Sequence, residues 1–137
     1  MRSLKVLIIE DKDSSVKQII AAMFERAIAD GEINIVSVPS NNIPKVLRAL
    51  QYEQNVDLIF VAVSAQGSIK EAVRFVSVAR FAHPEPEKII GIANYPDQRK
   101  SLMLAGCSNT HNQIDSCRYL KETLDFQKSE KLEAVCC

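Results

Sequence analysis

Apolar positions along this chain switch back and forth between two spacings. Residues 5–10 read KVLIIE, a short apolar run rich in β-branched side chains that halts at Glu10 and Asp11. Behind it Val16, Ile19, Ile20, Met23, Phe24, Ala27 and Ile28 recur at intervals of three and four, the spacing of one helix face. The first stretch reads as a strand and the second as a helix. Asp13 or Ser14 offers an oxygen to the free amides at the helix start, and Asp30-Gly31 supplies the left-handed turn that ends it.

The unit recurs. Residues 33–38 (INIVSV) form a second strand, and Pro39 through Asn42 lead into a helix with Ile43, Val46, Leu47 and Leu50 on one side and Pro44 in its tolerant first turn. Residues 57–63 (DLIFVAV) are apolar on both faces, which places this third strand inside the sheet. Ser68 caps the following helix, whose Ile69, Val73, Val76 and Ala79 share a face. HPEPEK (83–88) is broken by prolines that no helix interior accepts, and KIIGIAN behind it is strand four. Pro96 opens a helix that stops at Ala105-Gly106. CSNTHN (107–112), between that glycine and the periodic Ile114, Cys117, Leu120 and Leu124, is placed as strand five. Mixed charge from Gln127 onward predicts fraying. The chain divides into a domain at residues 1–128 and a disordered tail at 129–137.

Strands alternating with helices imply a parallel sheet covered on both faces, because each crossover returns right-handed. The economical solution is an α/β, doubly wound, five-stranded parallel sheet of the flavodoxin-like order 2-1-3-4-5. The ends of strands one and three then lie together at the switch point, where ligands bind. Glu10, Asp11 and residues 62–64 are expected to meet there.

Composition narrows the functions. A chain of 137 residues fits one domain, and 47% hydrophobic with 25% charged residues is ordinary for a globular protein. Lys plus Arg and Asp plus Glu both number 17, so the electrostatic attraction behind nucleic-acid binding is missing. Apolar runs are too short to span a bilayer, which points to a cytoplasmic chain with no signal peptide and no membrane partner. The four cysteines, Cys107, Cys117, Cys136 and Cys137, lack C-x-x-C spacing and read as reduced thiols. A lipid anchor on Cys136-Cys137 would be expected to follow a polybasic patch, and none precedes the pair.

Adjacent acids at a strand end suit Mg2+, which prefers carboxylate oxygens. They equally suit the amino end of the next helix, whose dipole favours negative charge. Residue types leave both readings open.

KVLIIEDKDSSVKQII, VDLIFVAVS, KIIGIAN and AGCSNTHNQI, in that order, resemble the landmark segments of the receiver domain of two-component response regulators. The likeness covers residues 5–127. It implies that Glu10 and Asp11 are the Mg2+ acids and that the phosphoryl-accepting aspartate falls on Ala62. The hydroxyl residue that reads the phosphoryl oxygen falls on Ala93, the phosphate-pairing lysine on Gln113, the proline after it on Ile114, and the rotating aromatic residue on Thr110. Ala62 has no oxygen to phosphorylate, so the chain resembles an atypical or pseudo-receiver, with weak Mg2+ binding or none and no other cofactor.

The resemblance implies a module in a two-component or phosphorelay pathway that acts by protein-protein interaction. Its partner would be a histidine kinase or regulatory protein, met through Gln98, Arg99, Met103, His111, Arg118, Tyr119 and Glu122, with Met103 and Tyr119 as anchors. A homodimer through the same surface is plausible. The alternative is a small-molecule or ion sensor using Glu10, Asp11, Ser64, Asn94 and Gln113. EDKDSS, after strand one, would repel phosphates rather than cradle them, which argues against nucleotides and flavins. Catalysis is not expected: Ser64 needs a base, and neither His83 nor His111 is placed to serve it.

Overall fold

The computed structural model describes residues 3–83, 85 and 88–136, and side chains as far as residue 129. Pro84, Pro86 and Glu87 of the proline-broken connection, the side chain of Cys136 and all of Cys137 lie outside the described residues. The chain runs β1 (Leu4–Glu10), α1 (Val16–Met23), α2 (Glu25–Ala29), β2 (Ile33–Pro39), α3 (Ile43–Tyr52), β3 (Leu58–Ala62), α4 (Ile69–Ala82), β4 (Ile89–Ile92), α5 (Pro96–Ala105), β5 (Asn109–His111) and α6 (Gln113–Cys136). All pairings are parallel and the order is β2-β1-β3-β4-β5, the doubly wound flavodoxin-like arrangement.

Alternation along the strands splits the core into two layers. Leu7, Ile9, Ile59, Val61 and Ile89 meet Val46 and Leu50 of α3, Phe75 and Val76 of α4, and Leu102 of α5. Val6, Ile8, Phe60, Ala62, Ile90 and Ile92 belong with Val16, Ile20 and Phe24 and with Leu120 and Leu124 of α6. Gly91 lets α5 seat closely: a Cβ there would lie 2.9 Å from Leu102 Cδ1 and 3.1 Å from Cys107 Sγ.

Three features differ from the sequence expectation. The first helix breaks at Phe24 (φ −117°, ψ 26°), which buries that ring in the core while Met23 is left 63% exposed. Its start is capped from outside the segment, as described below. At the other end, α6 continues to Cys136 through residues expected to fray. Lys, Glu, Leu and Ala dominate that stretch and favour helix, and no Gly or Pro interrupts it. Lys128 also bridges to Glu32 at 3.0 Å, fastening the helix past Leu124.

Burial pushes the Cys107 thiol up to about 12, and raises that of Cys117 against a lowering hydrogen bond from Ser116. The folded state therefore prefers the neutral thiol. Its contribution is complete below the ordinary value of 9.0 and is lost as pH rises from there toward about 12. Urea unfolding is expected to show stability falling above that ordinary value. In Cys107→Ala the fall should be shallower by up to about 1.4 kcal/mol per pH unit. An unchanged slope would remove the thiol from the account.

Candidate functional site at the ends of β1 and β3

Glu10 ends β1 directly beside Ala62 in the ladder. Its carboxylate turns back over the start of α1, where Oε2 accepts from Ser14 Oγ (2.6 Å) and the Val16 amide (3.1 Å) and Oε1 accepts from the Lys17 amide (3.3 Å). Ser15, at the cap position, makes no side-chain bond. The helix is thus capped chiefly by an acid on the preceding strand, while Ser14 fastens that acid and its Oγ also accepts from the Val16 amide at 3.5 Å, as the sequence reading allowed. Glu10→Ala is expected to cost about 1–2 kcal/mol, measured as a lower urea midpoint. Glu10→Gln should recover part of the loss, since its amide oxygen still accepts while the charge favoured by the helix dipole is gone.

Asp11 is equally committed. Its Oδ2 accepts from the Ser64 amide at 2.8 Å and its Oδ1 from the Asp13 amide at 3.1 Å, which ties the loop after β3 to the end of β1. Gly67 folds over the same carboxylate. A Cβ at that position would collide with Asp11 Oδ2 and lie 3.0 Å from Val63 Cγ2, so only glycine fits without displacing the acid.

Beside Glu10 the sheet offers only a methyl group. Ala62 is buried, with Glu10 on one side of it and Ile92 on the other. Ser64 lies beyond the end of β3, and its Oγ is buried without a hydrogen-bond partner. His83 is bonded to the Leu50 carbonyl at 3.0 Å, and His111 belongs to β5. Among the described residues Ser64 Oγ makes no hydrogen bond to a base.

Beyond β4 the remaining predicted positions close the edge of the sheet. Ala93 is buried; its amide donates to the His111 carbonyl at 3.0 Å and its own carbonyl accepts from Arg99 Nη1 at 2.8 Å. Asn94 Oδ1 accepts from the Gln113 amide at 3.2 Å, joining the ends of β4 and α6. Gln98 Nε2 donates to the Ser64 carbonyl at 3.2 Å, while Gln98 Oε1 is buried without a partner. Thr110 stands next to Gly91 in the ladder.

Mg2+ takes carboxylate oxygens and keeps several of its waters. Both carboxylates spend their oxygens on amides and a hydroxyl, Ala62 supplies none, and among the described residues no three His, Cys, Asp or Glu side chains come together.

The predicted partner surface divides in two. Met103 is 45% exposed and Arg118 and Glu122 are exposed, Arg118 lying 3.7 Å from Asp115. Tyr119 instead packs half-buried against the core layer, its ring 5.2 Å from that of His111. Gln98 and Arg99 turn their donors inward, as above. Burial holds the His111 pKa below its ordinary value against the raising pull of Asp115 and Glu122, and its Nε2 is buried without a partner.

Two apolar positions on this side are exposed: Leu104, at 80%, which the sequence reading did not single out, and Ile114, at 73%, which it placed in the periodic stripe. Ile114 fits the spacing of the α6 core stripe, but it sits in the first turn, past the three-residue β5, where no sheet remains to cover it.

No family model matches the sequence, and the search of curated proteins finds no match. Solved structures do match in fold. A response regulator from Thermotoga maritima is 14% identical, with 90% of this chain and 99% of that chain covered at a TM-score of 0.61. The receiver domain of sensor histidine kinase PA1611 from Pseudomonas aeruginosa PAO1, with a magnesium ion coordinated in its active site cleft, is 18% identical over 90% of this chain and 95% of that one, at a TM-score of 0.59. A CheY-like protein (tadZ) from the same organism is 13% identical over 91% and 92%, at a TM-score of 0.58. At these identities the likeness is one of fold. Among the described residues no helix is long and apolar enough to cross a membrane.

Proposed function

We propose that this chain is a pseudo-receiver, a cytoplasmic signalling module of two-component type that acts by binding protein and undergoes no aspartyl phosphorylation. One observation carries the reading: the position between Glu10 and Ile92 that faces the switch point is Ala62, which has no oxygen. Asp11 supports it, because its carboxylate is bonded to the Ser64 amide and roofed by Gly67. The PA1611 receiver domain coordinates magnesium in its cleft. Here the acids hold a helix and a loop instead, and the ion is weakly bound or absent. The partner, a histidine kinase or a regulatory protein, would meet α5, β5 and α6 at Met103, Arg118 and Glu122, and a homodimer through that surface is part of the proposal.

The test is a set of amide NMR spectra with Mg2+, then with Mg2+ and beryllofluoride, a mimic of the phosphoryl group. Expected changes are weak and confined to the surroundings of Glu10 and Asp11. A saturable change reaching β5 and α6 would overturn the reading and indicate a displaced acceptor.

A sensor reading draws support from Ser64 Oγ and Gln98 Oε1, buried polar atoms with no partner of their own on two residues joined by the bond from Gln98 Nε2 to the Ser64 carbonyl. Native mass spectrometry of the purified protein tests it: a retained small molecule would favour the sensor.

A further inference from the structure

The opposite margin of the sheet is built differently from the partner surface at α5, β5 and α6. β2 is the outermost strand, and its seven residues carry no charged side chain to guard the edge. The bonds flanking its pairing with β1, from the Leu4 amide to the Glu32 carbonyl and from the Ser40 amide to the Glu10 carbonyl, use even-numbered residues of this segment. Alternation then turns the main-chain groups of Ile35 and Ser37 outward.

A groove lies on each side of that edge, and Ser37 lines both. The one toward α3 holds Val36, Lys45, Arg48, Ala49 and Tyr52, the last 73% exposed. The one toward α1 holds Lys12, Lys17 and Gln18. An added strand sends its side chains alternately into two such grooves while its backbone bonds the edge.

Charge selects the occupant. Lys45, Arg48, Lys12 and Lys17 are exposed and make no ion pair among the described residues. The acids beside them are otherwise engaged: Glu53 is paired with Lys5, and Glu10 and Asp11 aim at amides inside the fold. The α3 groove is therefore cationic with an apolar, aromatic floor. A second copy of this chain, paired edge to edge, would bring lysines and arginines against one another, so the chemistry disfavours it.

We propose that the free edge of β2 accepts an extended acidic segment of a partner protein as an added strand, with carboxylates directed at Lys45 and Arg48. Main-chain bonds to Ile35 and Ser37 hold it, and the groove cations choose it. This surface is separate from the one in the proposed function.

The test uses the full chain and a short synthetic peptide alternating glutamate with valine and threonine. Amide NMR should show saturable binding with slowed hydrogen exchange at Ile35 and Ser37. Replacing every glutamate of the peptide by lysine should abolish it. Lys45→Glu with Arg48→Glu should weaken binding at least tenfold, and both sites are exposed, so the variant is expected to fold. Met103→Ala should bind unchanged, which separates this edge from the α5 surface. Several outcomes would overturn the proposal: no saturation, equal binding of the lysine peptide, changes mapped away from β2, or self-association that protects the same amides without peptide.

Discussion

Phe60→Ala is expected to remove about 3–5 kcal/mol of stability, the cost of deleting a fully buried aromatic ring and leaving its cavity. Phe60 sits at the centre of the central strand, between Ile8 and Ile90 in the ladder, and is fully buried in the layer that receives α1 and α6. Neighbours on rigid parallel strands relax little, which keeps the cavity open. Domains of this kind unfold at roughly 5–15 kcal/mol, so the variant stands near the threshold of folding. The measurement is the urea midpoint with the slope unchanged. Phe81, 92% exposed at the end of α4, is the internal control, and Phe81→Ala should change stability by less than about 0.5 kcal/mol. Similar losses at both positions would mean that the α1 and α6 layer is not seated on β3.

Ala62→Asp asks whether the switch point can carry the carboxylate it lacks. The new group would be buried next to the Glu10 carboxylate in the ladder. A loss of about 3 kcal/mol near neutral pH is expected from desolvation and like-charge repulsion. Both effects favour the protonated acid and raise its pKa in the folded state. The deficit should therefore shrink as pH falls toward the ordinary aspartate value of about 3.9, where the unfolded chain is protonated too.

Mg2+ supplies the second arm of that experiment. With a third carboxylate beside Glu10 and Asp11, the ion gains an oxygen that the native pocket does not offer, and binding to the folded state alone raises stability by mass action. Thermal unfolding should rise with Mg2+ in Ala62→Asp and stay level in the unmodified chain. Equal stabilisation of both would show that the native acids already hold the ion.

Local spacing carried much of this structure. The period of two in the strands and of three and four in the helices reports which side chains face an apolar layer, and that report needs no partner to be identified. The parallel order follows, since each helix must return across the sheet with one hand. Capping by Ser68 and the left-handed Gly31 are equally local, each satisfied within a few residues. The absence of a carboxylate at residue 62 is likewise plain in the chain itself.

What an acid does at the end of a strand is not local. Glu10 and Asp11 read equally as metal ligands or dipole partners, and the groups their carboxylates accept from are brought in by folding: the Val16 and Lys17 amides for Glu10 and the Ser64 amide for Asp11, with the bare Cα of Gly67 above it. Exposure was decided the same way. Ile114 keeps the spacing of a core residue and is bare because β5 ends too soon to cover it, while Tyr119 is drawn in against the core layer. The pattern of a chain states what each residue needs from its surroundings; only the tertiary structure determines which of those needs its neighbours meet.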